Sequence, residues 1–379
     1  MRIINADVFD VEKGFVEKTI TMRGAHFAAE EQEAADSAEP VWDATGCYAI
    51  PGLIDLHTHG CMRHDFSTAS PEGIRRMRDY QAQNGITALC ATTMTLPQER
   101  LEEACARLKD STGGAELLGI HLEGPFLSPD KLGAQNPLYV QKPDVALYRR
   151  LQAISGGLVK LLALAPEMDG GMELIRAVSG EVVCSLAHTT ASYAVATEAF
   201  ANGTRQVTHL YNAMPPFAHR EPGVVGAALD APDCRVELIC DGIHVHPSMV
   251  RATFRLFGDD RIVFISDSME ATGLADGSYE LGELSVLVQD GAARLQGSGA
   301  LAGSVSNLMN CLRTAVLQMG IPLAAAVKCA AVNPAKVLGV FDERGSIAPG
   351  KIADLVLLNP DLSLAAVFLK GQLLEMNAL

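Results

Sequence analysis

Eight short apolar, β-rich runs recur between residues 49 and 267, each separated from the next by a longer connecting segment. They are AIPGLIDLH, GITALCATTM, ELLGIHLEG, LVKLLALAP, EVVCSLAH, TRQVTHLY, RVELICDGIH and RIVFISD. Parallel strands need a crossover between them, usually a helix, and eight strand–helix units in series predict an α/β fold of the (β/α)8 TIM-barrel type. The connecting segments fit that role. In PQERLEEACARLK, Leu101, Ala104, Cys105 and Leu108 fall on one helical face, and SYAVATEAFANG ends in Asn-Gly, a C-cap signal. In such a barrel, chemistry is expected at the carboxyl ends of the strands.

The chain ends follow another pattern. RIINADVFD and KTITMRG near the start, and ADLVLLN and AAVFLKGQLL near the end, read as short alternating strands. They predict a small β-sandwich built from both termini, with residues 1–47 and 340–379 flanking a catalytic barrel over 48–339. SVLVQDGAARLQ, with Asp-Gly as a type I′ turn, predicts a hairpin inserted after the eighth strand. The acidic stretch Ala28–Glu39 reads as a solvated loop.

Composition narrows the function classes. Thirty basic against 45 acidic residues leave a net charge of −15. Such a chain repels nucleic acid and anionic lipid surfaces, and no cluster of basic residues offsets this locally. An anionic small-molecule substrate must then be held by a few local donors. The nine cysteines are scattered and form no C-x-x-C, the usage of a reducing compartment. The first residues, MRIINADVFD, lack the apolar core of a signal peptide, and no apolar run reaches the ~20 residues of a membrane span. The expectation is a cytoplasmic protein.

The strand ends carry the chemistry. His57 and His59 form H-T-H after the first strand, and residues two apart on a strand face the same way. Glu123 closes the third strand, His188 the fifth, His209 the sixth and Asp267 the eighth. Ionisable groups that follow apolar runs are costly to bury unless paired or metal-bound. Imidazole and carboxylate together suit a divalent transition metal: zinc first, with iron, manganese or cobalt as alternatives. Such an ion lowers the pKa of bound water and polarises a carbonyl. Asp267 is the residue best placed to accept a proton from that water and return it to a leaving amine.

The chain resembles the amidohydrolase superfamily and, within it, the N-acetylglucosamine-6-phosphate deacetylases. The resemblance rests on PGLIDLHTHG (51–60), LGIHLEGPFLSP (118–129), GAQNP (133–137), VTHLYNAM (207–214), HREPGVVGAALD (219–230), DGIHVHP (241–247), ISDSMEATGL (265–274), LAGS (301–304) and NPAKVLG (333–339). It implies that Glu123, His188 and His209 are metal ligands and that Asp267 is the catalytic acid/base. It implies that His57 and His59 serve a second ion, giving one or two metals per subunit. It implies substrate contacts at Ala134, Gln135, Asn212, Ala213, Arg220 and His244 and at Leu301, Ala302 and Gly303. Arg220 and His244 would meet the phosphate and a hydroxyl, with Arg220 able to reach a neighbouring subunit's site in a homodimer.

Two positions depart from the common pattern of that family. Gln135 stands where histidine is common, and Glu270 where a basic residue is common. Both are expected near the substrate, and they touch the choice of sugar rather than the metal chemistry. The expected reaction is hydrolysis of an N-acetyl amino-sugar 6-phosphate to the free amine and acetate. The galactosamine epimer, another N-acyl amino sugar and a non-catalytic sugar-phosphate sensor are the alternatives.

Overall fold

A computed structural model describes residues 1–29 and 40–375; residues 30–39 of the acidic stretch lie outside the described residues. Eight strands form one parallel sheet in chain order: Leu53–Thr58, Ile86–Thr93, Glu116–Glu123, Val159–Leu164, Val183–Leu186, Gln206–Val207, Arg235–Ile239 and Ile262–Ile265. The first and last meet only at their carboxyl ends. There Thr58 bridges Ser268, the Asp267 N–H donates to the His57 carbonyl at 2.9 Å, and the His59 N–H donates to the Ser268 carbonyl at 2.8 Å. The rim that closes the barrel is thus built from the same residues that carry the candidate chemistry.

A helix follows each strand: Pro71–Gln83, Gln98–Lys109, Val145–Ile154, Gly171–Val178, Tyr193–Ala201, Gly223–Asp230, Pro247–Phe257 and Leu308–Leu317. In Gln98–Lys109 the buried residues are Leu101, Ala104, Cys105 and Leu108, the face expected from the spacing. Ser192 caps Tyr193–Ala201 by accepting from the Val195 N–H, satisfying one of the orphaned donors of the first turn. Asn202 and Gly203 end that helix, and Gly203 takes a φ of 114°.

The run AIPGLIDLH divides in two. Tyr48–Pro51 pairs antiparallel with Leu355–Leu358, and Leu53–Thr58 opens the barrel. Gly52 sits at the seam, where an added Cβ would lie 2.1 Å from the Thr87 hydroxyl oxygen, so the close approach requires glycine.

The two chain ends share one eight-stranded sheet, separate from the barrel. Its first strand, Arg2–Asp10, changes partner midway: Arg2–Ile4 pairs with Val41–Asp43, and Asp7–Val8 pairs with Tyr48–Ala49. The expected sandwich is therefore hydrogen-bonded as one continuous sheet around a core that includes Ile3, Val8, Ile20, Leu355 and Phe368. Trp42 packs edge-on against Phe368 at 5.9 Å. After the eighth barrel strand comes a three-stranded antiparallel insertion, Gly277–Leu281, Leu284–Gln289 and Ala292–Leu295. Asp290 and Gly291, at φ 52° and 75°, make the expected type I′ turn; the strand Gly277–Leu281 is additional to the hairpin read from the sequence.

Candidate active site

Glu123 is the hub of the carboxyl rim. Its Oε1 lies 3.0 Å from His209 Nε2, 3.1 Å from His188 Nε2 and 3.5 Å from His57 Nε2. Its Oε2 lies 3.2 Å from His59 Nε2 and accepts from Gln135 Nε2 at 2.6 Å. Asp267 Oδ1 stands 3.3 Å from His59 Nε2 and 3.5 Å from His57 Nε2. All six residues are buried, with Asp267 the most exposed at 8%. The rim therefore brings together every residue expected there from its place at a strand end.

The backbone aims these groups. His188, His209 and Asp267 follow their strands at φ 43°, 30° and 50°. Non-glycine residues in this left-handed region store of order 1–3 kcal/mol of strain and cluster at functional sites. The turn turns each side chain inward just where the strand stops. Further contacts hold the rings: His188 Nδ1 is 2.9 Å from the Lys131 carbonyl, and His57 Nδ1 is 3.1 Å from Glu237 Oε2. In a neutral ring, donation through Nδ1 leaves the lone pair on Nε2, the atom that faces the centre of the cluster and would take a metal ion.

The charges are mutually dependent. Burial disfavours the charged Glu123, but the positive charges of His57 and His188 outweigh it and hold its carboxyl well below the ordinary range. Asp267 is likewise lowered against its burial, by His57 and His59. Burial disfavours the charged His59, yet Asp267 and Glu123 raise it to about 9. His121, buried beside His57, is pushed down to about 4 by burial and by that neighbour's charge.

Two overlapping sets, His57–His59–Glu123 and Glu123–His188–His209, have ligand atoms close enough to hold a metal ion each, with Glu123 common to both. Four imidazole Nε2 atoms and two carboxylates, all buried, are a donor set for a borderline divalent cation. The residues present thus fit the metal that the sequence implied.

A cavity of about 260 Å³ opens over this cluster. His59, Glu123, His188, His209 and Asp267 form its floor, and Ala134, Gln135, Asn212, Ala213, His244, Leu301 and Gly303 its walls. His57 lies beneath, fully buried. Ala302 is buried behind the wall, its N–H donating to the Ala293 carbonyl at 3.1 Å. Arg220 is exposed on the loop before helix Gly223–Asp230 and does not line the cavity of its own chain. Glu270 also lies elsewhere: it accepts from the Glu280 N–H at 2.7 Å and lines a neighbouring cleft with Asp65 and Glu283. Its expected place near the substrate is not where its own strand-end turn puts it.

His244 Nδ1 lies 2.7 Å from Asp241 Oδ2, and Asp241 Oδ1 accepts the His244 and Ile243 N–H groups at 2.9 Å. Burial disfavours a charged His244, but Asp241 raises it above the ordinary value. Asp241 and Glu237 were missed by the sequence reading. For Glu237 the signal was available: a carboxylate inside the apolar run RVELI is costly without a partner.

A family model described as the amidohydrolase family matches residues 48–374. An N-acetylglucosamine-6-phosphate deacetylase of Bacillus subtilis (strain 168) is 40% identical over 86% of this chain and 84% of its own length. An N-acetylgalactosamine-6-phosphate deacetylase of Escherichia coli O157:H7 is 34% identical over 85% of this chain and 86% of its own. The structure of a mutant N-acetyl-D-glucosamine-6-phosphate deacetylase from Mycobacterium smegmatis, in complex with N-acetyl-D-glucosamine-6-phosphate, superimposes with a TM-score of 0.92 at 33% identity, covering 98% of both chains. With its barrel, its rim cluster and these relatives, the chain belongs to the amidohydrolase family, on its N-acetylglucosamine-6-phosphate deacetylase branch.

Proposed function

We propose that this protein hydrolyses the acetamide of N-acetyl-D-glucosamine 6-phosphate, giving glucosamine 6-phosphate and acetate in amino-sugar catabolism. The observation that carries the reading is Glu123, whose two oxygens face His188 and His209 on one side and His59 on the other, with Asp267 beside the opening. Glu123, His188 and His209 would hold one divalent ion, and His57 and His59 would hold a second through the same carboxylate. Zinc suits the donor set first, with iron, manganese and cobalt as alternatives. When bound, the metal supplies Lewis acidity and a water acidic enough to lose its proton near neutral pH.

The chain's own residues do the rest. Asp267 accepts the proton of the attacking water and delivers it to the departing amine. His244, held by Asp241, presents Nε2 to the oxyanion or to a sugar hydroxyl. Ala134, Gln135, Asn212, Ala213 and Leu301–Gly303 shape the sugar pocket. Among the described residues no lysine or arginine lines the cavity. For a phosphate dianion bound to a chain of charge −15, the exposed Arg220 of a second copy in a homodimer adds a guanidinium to the Asn212 and His244 donors of the cavity. We place the enzyme in the cytoplasm, on its scattered reduced cysteines; no helix among the described residues is long and apolar enough to cross a membrane. The division into 1–47, 48–339 and 340–379 belongs to the same proposal, with Tyr48–Pro51 as the seam hydrogen-bonded to the terminal sheet.

The galactosamine epimer is the second reading, supported by Gln135 in the cavity wall and by the Escherichia coli relative. Acetate release from N-acetylglucosamine 6-phosphate, N-acetylgalactosamine 6-phosphate and unphosphorylated N-acetylglucosamine separates the readings. Turnover favouring the first compound supports the proposal, and none on any of the three overturns it.

A further inference from the structure

Glu237 lies in the seventh barrel strand, fully buried beneath the rim. Its Oε1 accepts from Gln206 Nε2 at 2.5 Å; its Oε2 faces His57 Nδ1 at 3.1 Å and the His209 N–H at 3.3 Å. An ionised carboxylate only accepts, so His57 carries its proton on Nδ1. When His57 gives up its second proton to bind a metal, the lone pair is on Nε2, the atom that lies 3.2 Å from His59 Nε2 and 3.5 Å from both Glu123 and Asp267.

We propose that Glu237 is a positioning residue for the second metal position. It fixes the tautomer and rotation of the His57 ring, and so sets how tightly His57, His59 and Glu123 hold their ion. It touches neither that ion nor the substrate. The proposal rests on reading the rim cluster as a metal centre. The first position is supported separately, since His188 is held by the Lys131 carbonyl and Glu123 by Gln135. Of the first position's histidines, Glu237 meets His209 at its backbone N–H, not at its ring. His57, His121 and Glu237 also lie close enough to surround an ion of their own. In that group, however, His57 Nδ1 and both Glu237 oxygens are already hydrogen-bonded, and His121 gives Nδ1 to the Leu56 carbonyl. Only His121 Nε2 is without a partner. The cluster is a hydrogen-bonded support under the rim.

The test compares the wild type, Glu237→Leu and Glu237→Gln by zinc titration of the metal-free, full-length protein against a competing chelator. Leucine removes the acceptor. Glutamine keeps a carbonyl for His57, and Gln206, whose Oε1 has no partner, can turn its amide to match. The wild type is expected to bind two zinc ions. The leucine variant should keep the first affinity and lose about 10–100-fold on the second, as supporting residues of metal ligands do. The glutamine variant should recover most of that loss. In the zinc-loaded, ¹⁵N-histidine-labelled wild type, His57 should show a proton on Nδ1 and metal on Nε2, and this resonance should shift in Glu237→Gln.

A wild-type His57 protonated on Nε2 overturns the proposal, even if the leucine variant does not fold. So does a folded leucine variant that binds both ions like the wild type, or one that weakens both equally. Uptake of a single zinc by the wild type overturns the role of Glu237 and leaves the deacetylase reading standing. Uptake of none overturns both.

Discussion

The backbone N–H of Asp267 donates to the carbonyl of His57 across 2.9 Å, and their side chains face each other at 3.5 Å. This hydrogen bond, one of those that close the last barrel strand onto the first, holds the proposed proton carrier beside a proposed metal ligand. The Asp267 carbonyl is held in turn by the Ser304 N–H at 2.7 Å, which helps keep the aspartate at its left-handed φ of 50°.

Asp267→Asn keeps the size of the side chain and removes its ability to accept and return a proton. Turnover is expected to fall by at least ~10²–10⁴-fold, the contribution of a positioned general acid–base. The loss should lie in kcat more than in KM, because the interaction is made chiefly in the transition state. Glu123, His188 and His209 are unaltered, so metal content should persist. Steady-state kinetics beside metal analysis on one preparation checks this. Metal retained with near-wild-type turnover would pass the role to another rim residue, His244 first.

Gln135 donates to Glu123 and accepts from the buried Thr95 N–H at 2.8 Å. Gln135→Leu strips both contacts and leaves a buried donor unpaired, a cost of about 1–3 kcal/mol readable by denaturant unfolding. Gln135→His keeps one donor and one acceptor. It should therefore shift the ratio of kcat/KM between the gluco and galacto substrates more than it shifts metal content. Equal loss on every substrate together with loss of metal would contradict that placement.

Arg220→Ala should raise KM for the phosphorylated substrate and leave metal content alone. If Arg220 acts on a second copy's cavity, mixing it with Asp267→Asn should restore activity, because one site of each mixed dimer then has both residues. No recovery after subunit exchange would place Arg220 outside the site.

The eight strands and their helices were legible because apolar runs bounded by polar residues have few other solutions, and the rim cluster because each member stands where such a run stops. Arg220 was legible as a residue type but not as a position, since its loop leads away from the cavity of its own chain. The support beneath the rim was less visible. Glu237 and His57 are 180 residues apart, and only barrel closure brings them within 3.1 Å. Glu270 misled because its motif lies next to Asp267 in sequence, whereas its side chain turns to the Glu280 N–H of the insertion.

Protonation couples the cluster to stability. His59 is raised from 6.5 to about 9 in the metal-free protein, the net result of burial, which opposes its charge, and of Asp267 and Glu123, which favour it. A group raised on folding contributes stability that is complete below its unfolded pKa and is lost as pH rises through its folded one. Metal-free protein should therefore lose stability between about pH 6.5 and pH 9, by an amount of order 3 kcal/mol from this shift. The buried thiols, Cys61 and Cys90 among them, are pushed up by burial and add a loss at the alkaline end of that window. That loss is common to both forms, so the difference between metal-free and metal-loaded unfolding curves isolates the cluster. Parallel pH profiles of the two forms would contradict the assignment.

Metal content measured against acetate release, through chelation and stepwise reloading with zinc, tests the central claim on one sample. The account predicts one to two metal equivalents per chain in the active protein, loss of N-acetylglucosamine-6-phosphate hydrolysis on chelation, and recovery in proportion to zinc restored. It also predicts that Glu123→Gln does not recover, since Glu123 faces both sets of histidines. Full activity in metal-free protein, or in Glu123→Gln, would contradict it.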